Sequence, residues 1–342
     1  MPHEENGVAS FLEGIELEWD LKKHLLDEHE IVSIYLGGGT PSLLTPLQIE
    51  SILSFFPKAD EITLEANPED VSFQKMLEYR KLGINRVSIG VQSLDESTLY
   101  TIGRNHSSNK AVKAIEDTFR AGIENISIDL MYDLPNQTFF CWKKTIDKAI
   151  QLPITHLSLY NMTLEIGSLY YKDRDQIAPL MPKDELSIEM LNYAVKTLQT
   201  SGFDRYEISA FCKNGQISQH NIGYWTARPF VGLGPSAFSY YQQSRLRNIC
   251  HLNKWKKSVE MGLLPIDFQE TLPHPDNIHE LIAVGLRVAK GIDINDFPSL
   301  PKDTLNTLNT LVKKGFLATF KSKYFLTETG KLFYDDVASE II

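Results

Sequence analysis

A glycine-rich turn is the first segment of the sequence whose residue types suit the binding of a small ligand. Gly37, Gly38 and Gly39 are followed by Thr40, after a β-branched run and before a helix predicted to begin near Pro46. Three glycines let the backbone approach a ligand closely and turn its N–H and C=O groups toward it, as the polar end of an amino acid requires. The spacing matches neither a P-loop nor the GxGxxG of dinucleotide sites. A tight turn without a ligand is the alternative interpretation of this segment taken alone.

Four further polar side chains stand at or just past the ends of predicted strands. They are Glu65, Gln92, Arg104 and Asp129. A carboxylate at a strand end can bind ribose hydroxyls or an ammonium group, and an arginine can hold a carboxylate through two parallel hydrogen bonds. The alternative is structural, with Glu65 and Arg104 pairing with each other and capping loops. Because the four occupy the same place in successive units, a shared binding site is favoured.

A histidine, an amide and two large aromatic residues are gathered within six positions: His220, Asn221, Tyr224 and Trp225. Such a set suits a flat aromatic ligand, with the histidine as an axial ligand to iron and the rings as stacking surfaces. From composition alone, a buried structural histidine beside packed aromatic side chains is the favoured interpretation. His106 and His156 are predicted to be ordinary core histidines.

A shared site requires a fold that brings the ends of the predicted strands close together. Five β-branched runs begin at Ile31, Glu61, Ile84, Ile126 and Thr155, and longer amphipathic stretches lie between them. This alternation predicts an α/β protein with βα units around a parallel sheet, and the nearly continuous apolar character of the runs predicts that both faces are covered. Periodicity fits a (βα) barrel and a doubly wound sheet equally. In a barrel, the carboxyl ends that carry the polar residues would converge on one mouth.

The chain is expected to have three parts. Residues 1–165 are predicted to form a partial (βα) barrel, and residues 166–275 a less regular extension that carries HNxxYW. Residues 276–342 have a pattern typical of a winged helix, with three helices before a two-stranded wing. This last segment has 8 basic and 9 acidic residues. A solvated surface is therefore a better interpretation of its lysines than DNA binding.

Composition and charge exclude several classes of protein. The 342 residues include 34 Lys and Arg against 44 Asp and Glu, a formal net charge of −10, so the basic footprint of a general nucleic-acid binder is missing. Cys141, Cys212 and Cys250 are far apart in sequence, which excludes a disulfide framework and a CxxC metal knuckle. No apolar run approaches the ~20 residues that span a bilayer, and no signal-peptide pattern occurs. A cytoplasmic protein is expected.

Seven motifs then point to a family by their order along the chain: GGGTPS, EANP, GxNRxSIGVQS, GRxH, DLMYDLPNQT, YExSA and QHNxxYW. Together they resemble the radical S-adenosylmethionine (SAM) superfamily, in the branch that contains oxygen-independent coproporphyrinogen III oxidase and the haem chaperone HemW. The resemblance runs from about residue 20 to the C-terminus. It implies a partial (βα) TIM-like barrel of the radical SAM type, without its first strand, followed by an extension and a HemW-type C-terminal domain.

The resemblance also implies site residues and a function. Gly38, Gly39 and Thr40 would contact the methionine end of SAM, and Glu65, Gln92, Arg104 and Asp129 would line the same cofactor site. HNxxYW is characteristic of the haem-chaperone branch, which implies haem binding by His220, Asn221, Tyr224 and Trp225 and delivery to a haem-accepting protein. The alternative is the oxidase, which converts two propionates of a porphyrinogen to vinyl groups by radical decarboxylation. HNxxYW and the modest length favour the chaperone.

One departure from the family pattern concerns its iron–sulfur cluster. Family members carry CxxxCxxC after the first strand, and those three thiolates hold a [4Fe–4S] cluster. Here no cysteine precedes Cys141, and the separations of 71 and 38 residues between the three cysteines do not form a ligand loop. We therefore expect a sequence shortened at its N-terminus; a cluster-free member that keeps only haem binding is the second hypothesis. Under both, this chain is predicted to hold no metal through its cysteines and not to cleave SAM reductively.

Overall fold

The computed structural model describes residues 5–26, 29–167 and 169–342. Its strands are β1 (Ser33–Leu36), β2 (Glu61–Ala66), β3 (Arg86–Gln92), β4 (Asn125–Tyr132), β5 (His156–Asn161), β6 (Asp204–Arg205), β7 (Ala210–Cys212), β8 (Phe238–Tyr241), β9 (Ser244–Asn248), β10 (Ile266–Thr271), β11 (Ile292–Asp293), β12 (Leu317–Phe320) and β13 (Lys323–Leu326). Its helices are α1 (Glu5–Lys22), α2 (Pro46–Leu53), α3 (Phe73–Lys81), α4 (Glu96–Thr101), α5 (Ser108–Arg120), α6 (Phe139–Ala149), α7 (Leu169–Lys172), α8 (Arg174–Ile177), α9 (Asp184–Thr200), α10 (Gln219–Trp225), α11 (Leu252–Glu260), α12 (Asp276–Leu286), α13 (Lys302–Lys313), α14 (Glu328–Leu332) and α15 (Tyr334–Ile341).

The described residues divide into two compact units. The sheet unit comprises Ser33–Ile49 and Glu61–Ile217, and the terminal unit comprises the described part of Met1–Val32 together with Glu50–Asp60 and Ser218–Ile342. The three-part division at residues 165 and 275 stays a prediction. The predicted extension is divided between the two units: its residues up to Ile217 belong to the sheet unit, and those from Ser218 belong to the terminal unit.

The sheet unit contains a seven-stranded sheet in the order β1-β2-β3-β4-β5-β7-β6. The first five strands pair in parallel, and β7 pairs antiparallel with both β5 and β6. The α/β fold and the five parallel strands expected from the β-branched runs are therefore confirmed. Within the described residues the sheet is open, with β1 and β6 at its edges. This is the partial barrel that the sequence resemblance implied.

Apolar and polar side chains alternate along the strands more strongly than the nearly continuous apolar runs of the sequence indicated. Leu64, Val87 and Ile89 are fully buried on one face, where α5 packs on β3 and β4. The opposite face carries polar side chains that are also buried, such as Thr63 and Ser127. Side chains alternate between the two faces of a strand, so a covered sheet does not need apolar residues at every position. Both faces are covered as expected, but the inner face is a polar network.

Helix ends follow the predicted chemistry. Gly83 and Gly122, predicted to stop α3 and α5, have φ values of +103° and +87°, the left-handed region in which a Cβ is unfavourable. At Gly122 a Cβ would also lie 2.8 Å from Nε of Arg80. At the N-terminal ends, Ser72 and Ser107 accept hydrogen bonds from the backbone N–H three residues on. These caps fix where α3 and α5 begin and end, and thereby the lengths of the connections to the strands.

The C-terminal part of the terminal unit is winged-helix-like, with a different order of elements from the one expected. Only α12 and α13 precede the hairpin of β12 and β13, and α14 and α15 follow it. The short strand β11 adds to β13, making a three-stranded antiparallel sheet. Leu308 and Leu311 of α13 and Val337 of α15 are fully buried beside it. No helix among the described residues has the length and apolarity needed to cross a bilayer.

Candidate functional site

The glycine turn after β1 has a backbone that requires glycine. Gly38 and Gly39 have φ values of +72° and +62°, in the left-handed region. A Cβ on Gly37 would lie 2.6 Å from the ring of Tyr35 and 3.1 Å from Cδ of Glu65. Thr40 then leads into a short 3₁₀ turn and makes no capping hydrogen bond with its side chain. The three glycines are exposed, so their backbone groups are accessible to a ligand.

Glu65 fastens this turn to the end of β2. Its Oε1 accepts a hydrogen bond from the Tyr35 hydroxyl at 2.8 Å, and its Oε2 accepts from the N–H of Gly38 at 3.2 Å. Burial and the charge of Glu65 raise the pKa of Tyr35 far above its usual value, so the phenol stays neutral and donates. Tyr35 was not singled out from the sequence. The alternation of β1 was the available signal, since it places Tyr35 on the same face as Gly37.

Arg104 lies between α4 and α5, not just past a strand end as expected, but its side chain reaches the ends of β2 and β3. Its Nη2 donates to Oδ1 of Asn67 at 3.0 Å and to the carbonyl of Gly90 at 3.1 Å. The alternative that Arg104 pairs with Glu65 is therefore wrong, because each of them binds other groups. Asn67, part of the EANP motif, is a positioning residue outside the predicted site set of Glu65, Gln92, Arg104 and Asp129.

Gln92 ends β3 in an unusual backbone conformation. Its φ of +58° is rare for a residue with a side chain, and strain of this kind concentrates at functional sites. A Cβ on Gly90 would lie 3.1 Å from Nε2 of Gln92, so the glycine makes room for this side chain. Oε1 of Gln92 and Nε of Arg104 are buried and have no hydrogen-bond partner among the described residues. An unused acceptor and an unused donor thus lie near Gly90, where a polar ligand could satisfy both.

Asp129 belongs to the inner face of β4. Ser88 donates to its Oδ2 at 3.4 Å. Burial, opposed by hydrogen bonding from Ser158 and by the positive charge of Arg86, raises the pKa of Asp129 to about 6. The negative charge of Glu65 acts in the same direction as burial. The two predicted carboxylates are therefore close enough to interact electrostatically, as a shared site requires.

This set fits SAM, the cofactor that the sequence resemblance implies. The carboxylates of Glu65, near the end of β2, and of Asp129, within β4, suit its ammonium group and its ribose hydroxyls. The glycine turn offers backbone N–H and C=O groups. Oε1 of Gln92 and Nε of Arg104, which have no hydrogen-bond partner among the described residues, could bind polar atoms of the cofactor. The polar inner face also includes a residue missed from the sequence, Arg86, which lies within the NRxS motif and is 1% exposed.

A [4Fe–4S] cluster does not fit the described residues. Cys212 is buried on β7, where burial raises the pKa of its thiol to about 11 and disfavours the thiolate that iron requires. Cys141 is half-buried in α6, and Cys250 is exposed and belongs to the terminal unit. No group of three His, Cys, Asp or Glu side chains within the described ranges could hold a metal ion.

The HNxxYW residues lie on α10, whose N-cap Ser218 accepts from the N–H of Asn221. His220 and Tyr224 are one turn apart on the same face, and Nε2 of the imidazole lies 2.7 Å from the phenol oxygen. The Tyr224 ring packs edge-on against Phe230 with centroids 4.6 Å apart, and 36% of the tyrosine is exposed. This face of α10 thus presents an imidazole and a phenol ring, with the Phe230 ring beside them.

Trp225 lies on a different face of α10. The guanidinium of Arg287 is centred 4.3 Å from the Trp225 ring and 5.0 Å from the ring of Tyr334. Such cation–π contacts join α10 to the segment after α12 and to the start of α15. Asn221 is one turn before Trp225, so the two lie on the same side of the helix. Helical spacing therefore divides the four predicted residues into two pairs on neighbouring faces of α10, with the rings of Tyr224 and Trp225 still edge-on to each other at 6.5 Å between centroids.

His106 and His156 are core residues, as expected, and His106 is 5% exposed. His156 is fully buried, with Nδ1 2.8 Å from the Ser127 hydroxyl and Nε2 2.8 Å from the Tyr206 hydroxyl. Burial and the charge of Arg86 hold the pKa of His156 well below its usual value. The ring is therefore neutral and serves as a fixed link between β4, β5 and the segment before β7.

Comparisons with known proteins indicate the family to which the chain belongs. Residues 15–149 match the Radical SAM superfamily. The chain is 30% identical to the heme chaperone HemW of Lactococcus lactis over 312 residues, 87% of this chain and 81% of that protein. It is 29% identical to HemW of Bacillus subtilis, covering 96% and 90%. A zebrafish relative, mitochondrial radical S-adenosyl methionine domain-containing protein 1, is 32% identical, with 82% and 66% covered.

A solved structure supports the same fold. Escherichia coli coproporphyrinogen III oxidase (HemN), described as a radical SAM enzyme, superposes with a TM-score of 0.85 at 19% identity. The match covers 99% of this chain and 84% of the other. At this identity the likeness concerns architecture alone. By the sequence relatives, the fold and the ordered motifs, the chain belongs to the radical SAM superfamily and, within it, to the HemW family.

Proposed function

We propose that this protein binds haem through α10 and passes it to a haem-accepting protein, as a HemW-like chaperone. The observation that carries the proposal is the exposed face of α10, where His220 and Tyr224 stand together beside Phe230. Its support is the similarity to proteins named heme chaperone HemW. The acceptor protein and the cytoplasmic location stay predictions.

The residues of α10 would divide the work. A neutral imidazole can ligate haem iron through Nε2, and here that nitrogen faces the Tyr224 hydroxyl at 2.7 Å. Ligation would therefore require His220 to exchange this contact for the iron. The rings of Tyr224 and Phe230 would then lie against the porphyrin. Trp225 and Asn221, expected at the haem, are assigned the neighbouring face, where Trp225 holds α10 against Arg287.

The sheet unit would hold SAM. Gly38, Gly39 and Thr40 would contact its methionine end through backbone groups. The carboxylates of Glu65 and Asp129 would bind its ammonium group and ribose hydroxyls. Oε1 of Gln92 would accept a hydrogen bond from the cofactor, and Nε of Arg104 would donate one to it. With a cluster, SAM supplies radical chemistry in this superfamily; the described residues carry binding only.

Haem titration followed in the Soret region tests the α10 site. We expect saturable binding by the wild type and loss of the imidazole-dependent Soret shift in His220→Ala. Tyr224→Phe keeps the ring but removes the contact that competes for Nε2. Because one such hydrogen bond contributes about 0.5–1.5 kcal/mol, this variant should bind haem about 2- to 10-fold more tightly.

His251→Ala is the matched control, since His251 is an exposed histidine of the same unit and its side chain caps nothing. It should titrate like the wild type. An unchanged Soret shift in His220→Ala would refute the role of His220. The oxidase stays an alternative prediction from the sequence, because the likeness to HemN concerns the fold.

A further inference from the structure

The sheet of β8, β9 and β10 presents an unusual row of side chains. Phe238 of β8 and Phe268 of β10 both pair with Arg247 of β9, so the three lie side by side on one face. Phe238 and Phe268 are 52% and 39% exposed as residues, and the Arg247 side chain is 38% exposed. We name Phe238, Arg247 and Phe268 the aromatic row.

The aromatic row is continuous with α10. Phe230 pairs antiparallel with Tyr240, through hydrogen bonds of 2.9 and 3.0 Å between their backbones, so it adds to the sheet beside β8. Directly paired residues share a face, and Tyr240 shares its face with Phe238 because they are two residues apart. The Phe230 ring in turn packs on Tyr224 at 4.6 Å. One face therefore runs from His220 and Tyr224 to the aromatic row.

This face carries two arginines, both ion-paired, and the less heavily paired of them is Arg247. Its neighbour on the strand, Arg245, is bonded at 2.5 Å to both Glu270 and Glu280, which neutralise it. Arg247 has one carboxylate partner, Asp267 at 3.0 Å, in a pair whose members are 38% and 33% exposed. A surface ion pair of this kind contributes little stability, so an incoming carboxylate can replace Asp267 at small cost.

We propose that the aromatic row is the outer part of the haem site, a proposal that rests on the haem-binding function proposed above. Haem combines a flat apolar ring with two propionate carboxylates at one edge. Phe238 and Phe268 match the apolar ring, and Arg247 between them matches a propionate, with a guanidinium suited to a two-pronged carboxylate contact. A row of two rings with a central cation fits this ligand better than a purely apolar one. Continuity with the His220 face places iron ligation and propionate recognition on one surface.

Haem and its dimethyl ester, in which both propionates are uncharged, distinguish the two contributions. The wild type should bind haem more tightly than the ester. Arg247→Ala should weaken haem binding about 5-fold and abolish the preference over the ester, because the lost contact is a partly exposed ion pair. The double variant Phe238→Ser with Phe268→Ser should weaken both ligands about 10-fold and keep the preference.

Phe320 and Lys321 provide a matched control. Phe320 is 65% exposed on another sheet of the same unit, with Nζ of Lys321 5.5 Å from its ring centroid. Phe320→Ser and Lys321→Ala should bind both ligands like the wild type. Far-ultraviolet circular dichroism of every variant checks that these surface changes leave the fold intact.

The outcomes separate this proposal from the function on which it rests. If the wild type binds haem with a His220-dependent Soret shift, and the Arg247 and phenylalanine variants keep wild-type affinities and preference, the aromatic row is overturned alone. If the wild type shows no saturable haem binding, both proposals fail. Equal losses in the control variants would show a non-specific apolar effect and would also overturn the aromatic row.

Discussion

The ionised form of Asp129 lowers the stability of the fold but provides a negative charge that can bind a cation. Its carboxylate lies on a covered inner face, and burial raises its pKa to about 6. An ordinary aspartate ionises near 3.8, so the folded protein holds this proton more tightly than the unfolded chain does. The stability that this contributes is complete below pH 4 and is lost as the pH rises through about 6. At neutral pH the ionised form opposes folding, but it is the form that attracts a cation.

Replacement of Asp129 by asparagine should raise the stability of the fold at neutral pH. We expect Asp129→Asn to unfold at a higher temperature than the wild type at pH 7.5, with a smaller difference at pH 4.5, because the substitution removes a charge that is costly only when ionised. Thermal unfolding at the two pH values measures this. Asp175→Asn, at a side chain that is 90% exposed, is the control. A Tm difference that is the same at both pH values would contradict the raised pKa.

The affinity for SAM should increase over the pH range in which the stability contributed by Asp129 decreases. If Asp129 attracts the cationic end of SAM, the affinity of the wild type rises between pH 5 and pH 7 as the carboxyl ionises around its pKa of about 6. Equilibrium dialysis with labelled SAM should show this rise in the wild type and a flat, weaker profile in Asp129→Asn. A parallel rise in the variant would remove Asp129 from the cofactor site.

At the scale of elements, α1 is held in the terminal unit by a buried carboxylate. Glu18 is completely buried and accepts hydrogen bonds from Lys22 at 2.6 Å, Asn248 at 2.6 Å, the N–H of Gly234 at 2.7 Å and Trp255 at 2.9 Å. These donors come from α1 itself, from β9, from the loop before β8 and from α11. The Lys22 ammonium also donates to the carbonyl of Gly232 at 2.9 Å. The network joins α1 to elements more than 200 residues away.

Removal of this carboxylate should be among the most damaging single changes in the terminal unit. Glu18→Ala leaves the buried Lys22 ammonium without its counter-charge, which typically costs about 3–5 kcal/mol. Urea denaturation should show this loss in the free energy of unfolding. Glu13→Ala is the control, since Glu13 is an α1 glutamate whose side chain is 70% exposed, and its loss should cost less than about 1 kcal/mol. Equal effects of the two substitutions would contradict the role of the network.

For the whole molecule, the distribution of its three cysteines leads to a prediction about SAM chemistry. They lie on α6, on β7 and in an exposed position after β9, and the described residues provide no set of thiolates for a cluster. We expect that the 342-residue chain, after iron–sulfur reconstitution and reduction, forms no more 5′-deoxyadenosine from SAM than a variant with all three cysteines changed to serine. Chromatography of the reaction mixture measures the product. A yield above that of the serine variant would disprove the prediction.

Much of the sheet unit could be predicted from local patterns. β-branched runs and glycine stops located the parallel strands and the ends of α3 and α5, because alternation and turn chemistry act over a few neighbouring residues. Glu65 and Gln92 lie at the carboxyl ends of β2 and β3 as predicted, whereas Asp129 lies within β4 and Arg104 follows α4. The pairing among them was not predictable, since the choice between Arg104 and Tyr35 as the partner of Glu65 depends on strand register and side-chain reach.

Family membership thus follows from the order of motifs along the chain, and the parallel strands and candidate residues follow from local patterns. The tertiary structure alone decided which polar groups meet. Glu18 and Lys22 have the four-residue spacing of an exposed helical ion pair, yet they are buried because Asn248, Gly234 and Trp255 surround them. Likewise, helical spacing already pairs His220 with Tyr224 and Asn221 with Trp225, but the folded chain decides that Tyr224 meets Phe230 and that Trp225 meets Arg287. Local sequence sets the element and its periodicity, whereas burial and partner choice depend on residues that only the folded chain brings near.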